Sequence, residues 1–279
     1  MIGYEANMMQ AATRAASRAR VRVASLASCG LLLLGVAAPA QAEFGITPGS
    51  FKADALKADG TTPDTQAGGH PYQHVTTMRF NTVDAPGGAP LDPDENAKDI
   101  EVTLPRGFIG NPEAAAKCSR VDFDALVTTF ASCPPASQVG VVELETLIEG
   151  AAGPFTVPLY NIEPKTGDTA DFGLPVSVVA VHAVASIRTA SDYKVVVKFS
   201  NISEAVPIVS AKVIFWGVPA DPSHDVQRSC MFSGIITGSP CPAGLAPQPF
   251  LTNPSVCDEP LTTIAKVNSW QHPDVYKTE

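Results

Sequence analysis

Positive charge is scarce in this chain: 19 Lys and Arg face 28 Asp and Glu, for a formal charge of −9. Four of the basic residues, Arg14, Arg18, Arg20 and Arg22, fall at the very start. Without residues 1–42, which carry those four and one acidic residue, the balance moves from −9 to −12. No Lys/Arg cluster remains to displace counterions, which argues against nucleic acid as a partner. Anionic membrane surfaces are disfavoured for the same reason.

Familiar enzyme motifs are also missing. The chain has no G-x-S-x-G string to present a nucleophilic serine, no H-E-x-x-H helix to hold zinc, and neither a P-loop nor a G-x-G-x-x-G phosphate cradle. Glycosidase chemistry stays open, because it needs only two carboxylates at a suitable separation. Long apolar runs are limited to one, Val23 to Ala38, which follows the arginines and ends in Ala40-Gln41-Ala42. This pattern predicts a secretory signal peptide over residues 1–42, with Met8 or Met9 as alternative starts and a mature chain from Glu43. The run is too diluted by Ser, Gly and Ala for a spanning helix, so no membrane insertion is expected after cleavage. Leu26-Ala27-Ser28-Cys29 resembles a lipoprotein signal, but the leucines follow the cysteine instead of preceding it.

Five cysteines lie beyond residue 42: Cys118, Cys133, Cys230, Cys241 and Cys257. In an exported chain such residues are more often bridged than reactive. Proximity pairs Cys118 with Cys133 and Cys230 with Cys241, leaving Cys257 single.

Period-two alternation recurs along the chain and marks half-buried strands. Ile100, Val102 and Leu104 share one face, Val142 and Leu144 another, and Tyr193, Val195, Val197 and Phe199 a third. Lys212 to Trp216 and His74 to Thr82 read as further strands, and Val176 to Val184, apolar on both sides, as a central one. Turn residues separate the runs at Ala85 to Gly88, Gly150 to Pro154 and Glu163 to Asp168. The 25 prolines, spread throughout, exclude long helices. One short helix has support: Ser119 can cap it, and Phe123, Leu126, Val127 and Phe130 keep the spacing of a buried stripe. The expectation is a mainly β chain, an antiparallel β-sandwich of immunoglobulin-like or jelly-roll-like type with one short disulfide-bracketed helix. The sandwich is expected over 43–228, possible as two sub-domains, and residues 229–279 as an irregular C-terminal extension or the start of a further module.

Candidate chemistry is thin. Asp221, His224 and Asp225 offer a metal or acid–base set, yet Val218 to Ser223 also reads as turn chemistry, which is the weightier reading. Asp92 and Asp94 resemble the opening of a calcium loop, but Ala97 and Thr103 stand where a helix-loop-helix calcium site needs Gly and Glu. His70 and His74 flank Pro71 and read as residues leading into a sheet, and His182 as a core or interface histidine.

Several strings together resemble a family of uncharacterised secreted β-rich proteins of soil actinobacteria. They are Gln66 to Pro71, Asp99 to Pro105 running into Gly107 to Pro112, Cys118, Cys133 to Val141, Tyr160 to Pro164, Trp216 to Asp225 and Phe250 to Pro254. The resemblance implies an envelope or extracellular β module, with no catalytic residues to carry over. Two departures stand out: Arg228 to Gln248 has the look of an insertion with its own Cys230 and Cys241, and relatives usually continue past Glu279 to a further cysteine. The resulting expectation is a secreted, non-enzymatic module that is structural or adhesive, binding a cell-surface glycan or protein without a cofactor. A hydrolase or metal-dependent enzyme using Asp221, His224 and Asp225 is the alternative, and a calcium-stabilised binding module the third.

Overall fold

Alternating apolar residues demand a partner surface on one side only, and the chain meets that demand by curling one sheet over itself. The structure, a computed structural model, describes residues 43–84, 91–125, 131–147, 154–189, 192–228, 230–232, 235–238 and 240–279. The expected signal peptide at 1–42, the expected Ala85 to Gly88 turn, most of the expected Gly150 to Pro154 turn, and Leu126, Val127 and Phe130 lie outside them.

In chain order, β1 (Lys52–Leu56), β2 (Gln73–Arg79), β3 (Thr82–Val83), β4 (Asp92–Pro93), β5 (Ala97–Thr103) and β6 (Ile109–Gly110) precede the helix α1 (Arg120–Asp124). Then come β7 (Gln138–Thr146), β8 (Phe155–Ile162), β9 (Ala170–Val176), β10 (Val179–Ile187), β11 (Val195–Phe199) and β12 (Ile208–Trp216). The last are β13 (Cys230–Phe232), β14 (Ile235–Gly238), β15 (Leu251–Thr252), β16 (Ile264–Ser269) and β17 (Lys277–Thr278). Eleven of them form a single sheet in the order β1-β2-β12-β7-β8-β9-β10-β11-β5-β16-β17, and its neighbours pair antiparallel. The antiparallel β architecture is therefore present, its facing layers supplied by one curled sheet.

Curling is visible in what touches. Phe172 of β9 and Phe215 of β12 are separated in the sheet by two strands, yet their rings meet edge to face at 4.9 Å. The segment Glu43–Thr47 ties the structure together elsewhere. The Thr47 amide donates to the Arg79 carbonyl at 2.7 Å, that of Asn81 to Gly45 at 2.9 Å, and Glu43 pairs with Lys277 of β17.

Two sequence expectations need correction. Val176 to Val184 is not one central strand: Ser177 takes φ +54° and turns the chain, so Val176 pairs with Val179 across a two-residue hairpin. The run is apolar on both flanks because it contains the ends of two core strands, and Val178 at its tip is exposed. Residues 229–279 are not an irregular extension throughout. Ile264–Ser269 pairs with β5 inside the main sheet, burying Ala265 and Val267, and the described residues form one compact unit. A smaller adjustment concerns Tyr193, which takes φ +53° and stays exposed, so the strand begins at Val195.

The helix starts as its sequence requires. Ser119 Oγ accepts from the Asp122 amide at 3.1 Å, and Phe123 is fully buried. Cys118 and Cys133 are bridged, as are Cys230 and Cys241, while Cys257 is free and exposed. Cys118, Phe123, Ala131, Cys133, Tyr160 and Ile162 form their own small core. Closing 15 residues contributes about 3 kcal/mol in the chain-entropy model. A Cys118→Ser, Cys133→Ser double variant should therefore lose about that much in urea melts; an unchanged midpoint would show that the staple adds no stability.

Candidate functional site

The concave side of the sheet gathers one face of each strand. His74, Thr76 and Met78 of β2 share a wall with Val213 and Phe215 of β12, because residues two apart point the same way. Val195, Val197 and Phe199 of β11 and Val102 of β5 supply another wall. At one end Leu144, Val176, Val206 and Ile208 leave a void of only about 40 Å³. At the other, Phe250 stacks on Phe215, with ring centres 6.2 Å apart, and meets Phe172 edge-on at 6.0 Å.

Between these packed ends lies an apolar cavity of about 150 Å³. It exists because Thr76, Ala170 and Ala185 are short where their neighbours are branched or aromatic. The short β6–β15 pair carries Ile109 and Leu251 to its edge, and half-exposed Ile109 and Ile187 mark an apolar rim. Among the described residues no Asp, Glu, Lys or Arg side chain lines it. Its polar groups are the His74 imidazole and the hydroxyls of Thr76, Thr169 and Ser186. A mostly apolar hollow with a few convergent polar groups is the usual form of a small-molecule site.

Gly217 holds the closed end. Its amide donates to the Tyr72 carbonyl at 2.7 Å, and its own carbonyl accepts from the amides of Phe250 and Leu251 at 2.7 and 3.2 Å. A side chain here would begin 1.7 Å from the Pro71 oxygen. The approach of three segments thus depends on glycine. Nearby, the Gly68 amide donates to Pro254 O, the Asn253 amide to Gly69 O and the Asn111 amide to Phe250 O. His70 joins the same assembly, with Nδ1 3.0 Å from Leu251 O.

His74 is the titratable group of the cavity. It is 6% exposed, its ring lies 4.8 Å from that of Phe108, and burial pushes its pKa down to about 4, so it is neutral at pH 7. The sequence reading has it both opening the His74 to Thr82 strand and leading into the sheet; the structure puts it within β2, facing inward. The signal for that facing is the alternation of the His74 to Thr82 strand, since residues 74, 76 and 78 share the face of Met78.

Asp221, His224 and Asp225 come close in sequence without converging on one point. Asp221 caps the 3₁₀ turn Pro222–His224 by accepting from the Ser223 amide at 2.8 Å. His224, 1% exposed, stacks on Trp216 at 4.5 Å between ring centres, and its pKa too is pushed down to about 4 by burial. The Asp225 carboxylate faces Arg228 instead, at 3.6 Å. Arg228 is buried and donates to the carbonyls of Pro219 and Cys241 at 2.6 and 2.9 Å while its guanidinium lies over Trp216. These residues fasten the Trp216 end of β12 to the disulfide loop.

A second polar cluster went unread in the sequence. His182 Nδ1 lies 3.0 Å from a carboxylate oxygen of fully buried Asp171, and Nε2 lies 2.9 Å from Asp124; Arg120 pairs with Asp171. Burial disfavours the His182 imidazolium, but the hydrogen bonds it donates to the Asp171 and Asp124 carboxylates prevail and raise its pKa. Two of these four residues belong to α1, so the cluster clasps the helix to β9 and β10. Its members come from segments about 50 residues apart, which no spacing rule detects.

Asp92 pairs across a two-residue ladder with Val83, and the Asp94 amide donates to Asn81 O at 2.9 Å. Among the described residues no group of three or more His, Cys, Asp or Glu side chains is placed to hold a metal ion. No described helix is long and apolar enough to cross a membrane. The two disulfides fit an oxidising compartment. Compared with protein-family models, curated proteins and solved structures, the chain matched none.

Proposed function

We propose that the protein is an exported, non-enzymatic β module of the cell envelope or extracellular space that binds a small apolar molecule inside its curled sheet. The observation that carries this reading is the cavity of about 150 Å³, bounded by aromatic and branched side chains and rimmed by Ile109 and Ile187. Apolar cavities of this size stay dry and accept benzene-sized guests. Export is supported by the arginine-led apolar start, the A-x-A string and the two bridges. An outer-surface glycan platform has less support: the exposed aromatic residues among those described are Tyr193 and Tyr276, on separate segments.

Toluene is the test ligand. Saturating toluene should raise the melting temperature of the full chain, because a ligand that binds only the folded state stabilises it. Ala185→Phe, which projects a ring into the hollow, should abolish that rise and leave the far-UV spectrum unchanged. No rise in the parent protein would sink the proposal.

A further inference from the structure

The most deeply buried polar group in the cavity lining is the His74 imidazole. His74 pairs through its backbone with Ala55 of β1 and Phe215 of β12, which fixes its side chain on the concave face. The ring is more than nine-tenths buried and makes no side-chain hydrogen bond to the described residues, and its nitrogens keep some access to solvent. It touches the Phe108 ring. Buried polar side chains are nearly always paired, because an unpaired donor or acceptor loses its hydration without replacement. A neutral imidazole has one N–H to give and one lone pair to receive. Thr76, two residues along on the same face, adds a hydroxyl to the same wall.

His74 and Phe108 also border a groove of about 440 Å³ on the far side, lined by Asp64, Asn253 and Cys257 among others. The imidazole therefore stands at the boundary between a dry hollow and a more polar channel. The remaining walls of the hollow consist of Met78, Val102, Val197, Phe172 and Phe215 and similar groups, with no charged side chain among the described residues to compensate an ion. Charged guests are excluded by the cost of dehydrating them there. A purely hydrocarbon guest would fill the space and leave the imidazole unpaired.

We infer that the cavity takes a neutral, hydroxyl-bearing hydrophobe of about the size of phenol, its ring against the apolar walls and its hydroxyl bonded to the His74 imidazole. This deepens the proposed function and rests on the cavity being a binding site. His74 is then the specificity-determining residue, and the apolar walls supply affinity without selection.

The test compares phenol, toluene and benzoate by calorimetric titration of the full chain at pH 7.5, in the parent and in His74→Leu. Phenol and toluene should both bind the parent, and benzoate should not. On His74→Leu the ratio of phenol to toluene affinity should fall about tenfold, the effect of one lost hydrogen bond in a dry site. Comparing ratios removes the difference in how water holds the two ligands. If His74→Leu does not fold, ¹⁵N spectra of the parent decide: phenol should move the His74 ring resonances by far more than toluene does. Equal shifts, an unchanged ratio or binding of benzoate would overturn the inference and leave the apolar-cavity reading standing. Failure of both phenol and toluene to bind would overturn both.

Discussion

Gly217→Ala is expected to yield no stably folded protein. The added Cβ would lie 1.7 Å from Pro71 O and 3.0 Å from Tyr72 O, both backbone atoms that cannot swing away. Relief requires β12 to move off the start of β2, breaking the Gly217–Tyr72 hydrogen bond and the two that hold Phe250 and Leu251. The loss should exceed about 4 kcal/mol, a large part of the 5–15 kcal/mol that domains usually possess. Gly45→Ala is the control, since its Cβ would sit in ordinary contact, 3.6 Å from Lys277 Cγ. Soluble yield, circular dichroism and thermal melts of the two variants provide the comparison. A Gly217→Ala protein melting within a few degrees of the parent would mean that the three segments do not meet as described.

The second large effect is acid lability well above the range where carboxylates titrate. His74 and His224 have pKa values near 4 in the folded chain, against 6.5 for the free side chain, and in both cases burial is the main cause. A lowered pKa means that the unfolded chain takes up the proton first as pH falls. Stability is then fully present above pH 6.5 and is lost progressively between about 6.5 and 4. Each histidine accounts for about 3 kcal/mol across that window. His182 opposes the trend: its raised pKa makes the folded state the better proton acceptor, so its contribution grows as pH falls. Glu95, Asp99 and Glu145, all lowered, begin to give up their contributions only when pH enters the usual carboxylate range, and finish below it.

Urea melts at intervals from pH 7.5 to 4.5 should therefore show unfolding free energy dropping by several kcal/mol, and His74→Leu should flatten roughly half of the drop. A flat profile, with both imidazoles titrating near 6.5 in NMR, would contradict their burial.

Both effects arise at residues whose importance is tertiary. In the sequence Gly217 is one more turn glycine after a strand, and its role depends on Pro71 and Phe250 arriving from 146 and 33 residues away. His74 and His224 are unremarkable in sequence until both faces of their surroundings are covered. His224 drew notice for its neighbours Asp221 and Asp225, yet the structure directs one to a backbone amide and the other to Arg228. Proximity along the chain was a poor guide because Asp221 is the extended cap of the turn and commits its carboxylate to the Ser223 amide, while Asp225 turns to Arg228.

Four of the strings quoted for the family resemblance meet in space. Gly68 and Gly69, Asn111, Gly217, Phe250 and Asn253 share backbone hydrogen bonds at one end of the sheet. They are loop residues that bring distant segments into register, and their joint purpose appears only when the chain closes.

Local patterns were enough to specify the β character, the strands β2, β5, β7, β11 and β12, the Ser119 cap and both cysteine pairings. Each rests on physics that acts within a few residues: side-chain alternation, capping bonds, and the short loops that adjacent cysteines close. They misled at Val176 to Val184, because a two-residue hairpin between core strands has the same composition as a single buried strand. Tertiary structure alone decided the curl of the eleven-stranded sheet, the addition of Ile264–Ser269 to it, and the hollow beside His74. A cavity is a mismatch among side-chain volumes contributed by strands far apart in sequence, so it has no local signature.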